Sequence, residues 1–111
     1  VDRVAPREGE HVVVKNFPNA FVGTGLEEYL RGRSATNLVL AGFMTHMCIN
    51  STARGAFNAG FAPSVVAAAT ATRALPGPDG TVPAASLHSA SLAALADMFA
   101  VVVPDAGAIP D

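Results

Sequence analysis

The stretch Asn37-Leu38-Val39-Leu40-Ala41-Gly42-Phe43-Met44-Thr45-His46-Met47-Cys48 decides how the chain is read. After Asn37 the run to Gly42 is continuously apolar, the pattern of a central parallel strand covered on both faces. From about Met47 to Ala59 the pattern becomes helical, with Ile49, Ala53, Ala56 and Phe57 spaced as one buried face and Gly60 as the stop. Strand, turn and helix in this order make a βα unit. Cys48 falls at or near the first turn of that helix, and open α/β sheets gather their sites at the carboxyl ends of strands.

Upstream, His11-Val12-Val13-Val14-Lys15 reads as an earlier strand with Lys15 at its end. Thr24 or a neighbour caps a short helix through Leu26-Glu27-Glu28-Tyr29-Leu30-Arg31, its acids early and its arginine late as the helix dipole favours, with Gly32 as a stop. Downstream, Ser64–Ala68 is a third strand and Leu75–Gly80 a loop dense in turn residues. Ala84–Met98 is a helix with Leu92, Leu95 and Phe99 on one stripe, and Ala100–Val103 is a last strand. Short β-branched runs alternating with helical patterns predict an α/β domain with a parallel sheet.

Half of the 111 residues are hydrophobic and 14% are charged, which describes one globular unit. A parallel sheet this small leaves much of its surface open, so association into a homo-oligomer is expected. The net charge of −2 without clustered cations excludes a polyanion such as nucleic acid as partner. No apolar run reaches the roughly 18 to 20 residues that span a bilayer, and the first residues lack a signal-peptide core; the expectation is a cytoplasmic protein without membrane contact. A single cysteine allows no internal disulfide and no dithiol redox cycle within one chain. Cys48 is then either a buried apolar group or a reactive thiol.

Lys15 is the only lysine. An ammonium and a helix N-terminus both stabilise a thiolate, so Lys15 and Cys48 at neighbouring strand ends would make a nucleophile. The segment Gly42–Cys48 could offer backbone N–H groups to the oxyanion of an acyl-transfer intermediate. An inert buried cysteine beside a solvated lysine is the alternative that spacing leaves open. Thr45 and His46 lie in the nucleophile loop, and Phe17, Asn19 and Phe21 follow Lys15; these five are candidate pocket residues. His11, His46 and His88 show no metal-ligand spacing, and neither a metal nor another cofactor is expected.

Lys15-Asn16-Phe17-Pro18-Asn19-Ala20-Phe21-Val22-Gly23-Thr24-Gly25-Leu26, the stretch GFMTHMCINSTARGAFNAGF from Gly42 to Phe61 and ATATRALP from Ala69 to Pro76 resemble the isochorismatase-like cysteine hydrolases. The most specific element is the glycine-ended strand followed by Thr45, Cys48 and Thr52-Ala53-Arg54, with the lysine about 30 residues upstream. The resemblance implies a three-layer α/β/α, Rossmann-like fold and hydrolysis of a small-molecule amide or related C–N bond by an Asp–Lys–Cys triad. It implies that Cys48 attacks the carbonyl, that Lys15 supports the thiolate, and that a cis peptide at Phe43-Met44 exposes the Met44 and Cys48 amides as an oxyanion hole. The family's aspartate ends an earlier strand, upstream of the lysine, and no residue here matches it. Between Glu28 and Asp79 there is no acidic residue, and Ala68 stands where a further family acid is expected. Residues 1–111 are thus read as a partial domain, its C-terminal portion without the first strands. That portion is either a fragment of a longer hydrolase or a truncated, inactive member serving as a subunit-interaction or structural module.

Overall fold

A computed structural model describes residues 2–110. Its sheet has three parallel strands in the order β1-β2-β5, with β1 at Asn37–Phe43, β2 at Ala62–Ala71 and β5 at Val101–Val103. Helix α1 spans Leu26–Gly32, α2 Asn50–Asn58 and α3 Ala84–Met98. The parallel strands are joined through helices: β1 leads through a turn and α2 into β2, and α3 carries the chain from the end of β2 back to β5. The expected loop at Leu75–Gly80 is instead part of a hairpin, β3 (Leu75–Gly77) pairing antiparallel with β4 (Gly80–Val82). The turn pair Pro78-Asp79 closes it.

The core lies between the sheet and the α2–α3 pair. Ile49, Ala53, Val65, Leu92 and Leu95 form its buried cluster, with Leu40, Ala67, Phe99 and Val102 packed against it. Leu95 and Val65 are fully buried, and burial of such a side chain contributes about 1.5–3 kcal/mol. The expected helical faces hold, except that Phe57 is 40% exposed, its ring meeting Phe99 edge-on at 5.3 Å.

Two further expectations from the sequence fail. His11–Lys15 is irregular rather than a strand: Val12 and Val14 are exposed, and no strand among the described residues pairs with the segment. A β-branched run has strand propensity, but it becomes a strand only when a neighbour takes its hydrogen bonds. Among the described residues β1 pairs with β2 alone, so that β2 and not β1 is the central strand. Residues of β1 alternate between exposed and half-buried, with Val39 and Phe43 open on the face away from α2 and α3, because the described residues contribute helices to the other face only.

Candidate active site

The register between β1 and β2 breaks where the site begins. Leu40 pairs with Val65, but Gly42, two residues on, pairs with Thr70, five residues on. At Gly42 φ is +129°, a conformation that glycine alone adopts without strain. The following Phe43–Met44 peptide is cis. The Met44 carbonyl then accepts hydrogen bonds from the amides of Met47, at 3.0 Å, and Ile49, at 3.3 Å. The second bond spans five residues and makes Thr45–Ile49 a π-helical turn, a wide geometry that recurs at functional sites. Cys48 therefore sits in this turn, before α2 and not in its first α-helical turn. Ile49 is buried in the core, and Cys48 beside it remains partly accessible.

Two polar contacts tie down the residues that lead to Cys48. Thr45 is fully buried, and its Oγ1 lies 2.8 Å from Nδ1 of His88 on α3. Nδ1 of His46 lies 2.6 Å from Oγ1 of Thr72, just beyond β2, while its Nε2 is buried without a hydrogen-bond partner.

Lys15 reaches the thiol from a loop. The His11 ring stacks on Tyr29 of α1 with centroids 3.7 Å apart, holding the irregular segment against that helix. Further along, Thr52 of α2 fastens the loop twice: its hydroxyl accepts from the Ala20 amide at 3.0 Å and donates to the Pro18 carbonyl at 3.3 Å. Asn19 Oδ1 accepts from the Phe21 amide at 2.9 Å, and its side chain packs so closely on α2 that a Cβ at Gly55 would lie 2.6 Å from Nδ2. Phe21 stacks on Phe61 at 5.9 Å. These contacts leave Lys15 Nζ 3.1 Å from Cys48 Sγ and 3.2 Å from the Phe17 carbonyl.

Of the expected site residues, Lys15 and Cys48 thus meet directly, and the half-exposed Phe17 lies beside them through its carbonyl. Met44 begins the turn that holds Cys48. Asn19 faces α2 and Phe21 stacks on Phe61 just before β2, whereas Thr45 and His46 bond away to His88 and Thr72. An open cleft of about 770 Å³ lies between residues 11–14 and α1, and a cavity of about 240 Å³ is walled by Thr70, Thr72, Ala84, Ala85 and His88. Neither is lined by Cys48 or Lys15. Among the described residues no carboxylate hydrogen-bonds to Lys15, and no group of three or more His, Cys, Asp or Glu could hold a metal ion. The roles of Thr52, Thr72 and His88 escape a sequence reading. Thr52 and Thr72 do lie within the quoted motifs, and His88 carries no signal.

The family model for the isochorismatase domain matches residues 1–106. The chain belongs to the isochorismatase family. An uncharacterized isochorismatase family protein of Bacillus subtilis, YddQ, is 42% identical over 91% of this chain and 56% of its own length. The crystal structure of an isochorismatase from Pseudomonas putida superposes with a TM-score of 0.94 at 40% identity, covering 98% of this chain and 56% of that one, so the fold is isochorismatase-like. A ureidoacrylate amidohydrolase of Methylobacterium radiotolerans is 35% identical over 89% of this chain and 35% of its own length. The chain spans about half the length of the curated relatives it matches. No helix among the described residues is long and apolar enough to cross a membrane.

Proposed function

We propose that the protein acts as an isochorismatase-family cysteine hydrolase on a small-molecule amide or related C–N bond, residues 1–111 being part of the domain. The observation that carries this reading is the 3.1 Å contact between Lys15 Nζ and Cys48 Sγ in a partly accessible turn. Lys15 Nζ stands as a hydrogen-bond donor to the sulfur, and the thiolate is the form that attacks. Sulfur bonds to the substrate carbonyl carbon, the carbonyl electron pair moves to oxygen, and the Met44 and Cys48 amides receive the oxyanion. Collapse expels ammonia or an amine, which takes up the proton the thiol gave away. Water then splits the thioester into a carboxylic acid and free Cys48. A carboxylate that carries the proton is implied by the family triad and is not among the described groups bonded to Lys15. Further copies of the chain are the proposed protein partner, in keeping with the exposed Val39, Phe43 and Val101 on one sheet face. A cytoplasmic setting would keep the lone thiol reduced.

Release of ammonia from a panel of small carboxamides and ureido acids tests the reading. Turnover that falls at least about 100-fold in Cys48→Ala is expected for a covalent nucleophile. A folded chain without turnover favours the second reading, a non-catalytic interaction module.

A further inference from the structure

We infer that His88 is a positioning residue for the nucleophile, acting through Thr45 and not by contact with substrate; this rests on the reading of Cys48 as nucleophile. Helix α3 meets the turn in two ways. Leu92 and Leu95 share a buried cluster with Ile49, an apolar contact without directional preference. His88 supplies the directional part. With the ring protonated at Nε2, the Thr45 hydroxyl donates to Nδ1 across 2.8 Å.

Thr45 is the first residue of the five-residue turn and is fully buried, so its hydroxyl has no water to fall back on. A buried hydroxyl without a partner costs about 1–3 kcal/mol, which makes the bond to His88 a constraint on where the turn can sit. Cys48 is three residues along the same turn. Its sulfur faces Lys15 across 3.1 Å, a distance that a small rotation of the turn would lengthen. Fixing Thr45 therefore fixes the thiol against its ammonium. The His88 ring itself lines the 240 Å³ cavity, which leaves space for substitutions there without crowding.

The test reads the Lys15–Cys48 pairing itself. Cys48 is the only cysteine, so its alkylation by iodoacetamide at pH 7 is unambiguous by mass. Lys15→Met is introduced into the wild type, His88→Leu and His88→Asn, with melting temperature recorded for each. The asparagine retains a polar atom near the place of Nδ1. In the wild type Lys15→Met slows alkylation about tenfold, in His88→Leu less than about threefold, and in His88→Asn about tenfold again. A purely structural histidine would lower the melting temperature and leave the Lys15→Met factor the same in all three backgrounds; that result overturns the inference, as does His88→Asn behaving like His88→Leu. Should His88→Leu fail to fold, Thr45→Val against Thr45→Ser makes the same comparison from the other end of the bond. Alkylation needs no turnover, so failure of the hydrolase reading would be recognised separately.

Discussion

The two halves of the site are held by different means. The Cys48 half is a turn wedged between β1 and α2, with Ile49 in the core and Thr45 fully buried. The Lys15 half is an irregular, mostly exposed segment that contributes no strand and is located by a few side-chain contacts: His11 on Tyr29, Thr52 on the Pro18 and Ala20 backbone, and Asn19 on Gly55. The first half shares the stability of the whole domain. The second can open locally while the domain stays folded, as exposed segments with few buried contacts do. The contact between sulfur and ammonium is thus only as durable as its looser side.

Ile49→Ala should break the comparison most severely. It leaves a cavity where Ile49 meets Val65, Leu92 and Leu95, and a loss of about 2–5 kcal/mol is expected in urea unfolding, with the whole domain shifting together. A loss under about 1 kcal/mol would mean that the turn is no better rooted than the lysine loop.

How far the site can be read from the sequence follows the same division. The strand before Cys48, the helix after it and the bounds of α3 are legible because apolar period and stop residues are local signals. The run His11–Lys15 misleads, since its propensity is for a strand whose partner the described residues do not supply. Asn37–Gly42 misleads in the same way: an apolar run records burial on both faces, while the place of β1 in the sheet depends on which strands are present. The π-type turn is invisible because nothing in Thr45–Ile49 distinguishes an amide bonded five residues back from one bonded four back. The anchors Thr45–His88 and His46–Thr72 join residues 43 and 26 positions apart, beyond any local pattern.

A smaller effect is expected where the lysine loop meets α2. Thr52→Val removes one acceptor and one donor and leaves the Ala20 amide without its partner. Global stability should fall by about 1–2 kcal/mol, while hydrogen exchange at Ala20 accelerates by more than that fall accounts for. Exchange that merely follows global unfolding would place both halves of the site in one cooperative unit.

His11→Ala should cost less, about 0.5–1.5 kcal/mol at most and only in the local opening of this segment, because a single stacked pair at the surface is lost. Its effect should be confined to residues 7–15, read as faster proteolysis there at an unchanged melting temperature, and as slower alkylation of Cys48 once Lys15 is less well held. Unchanged alkylation would show that the Thr52 anchor suffices to place the lysine.

The smallest change should come from Glu27→Gln. Glu27 pairs with Arg31 at 3.3 Å, but both side chains are about half exposed, and an exposed pair of this spacing contributes only about 0.3–0.5 kcal/mol. Arg31 does not depend on it: the guanidinium also donates to the Ala59 carbonyl and lies 4.6 Å over the Phe61 ring. The tie between α1 and the end of α2 is therefore a hydrogen bond and a ring contact, with the carboxylate as a bystander. Melting within about 2 °C of wild type, and closer still at high salt, is the expected result. A shift of several degrees that salt abolishes would make that tie electrostatic, and the looser half of the site would then respond to ionic strength while the Cys48 half did not.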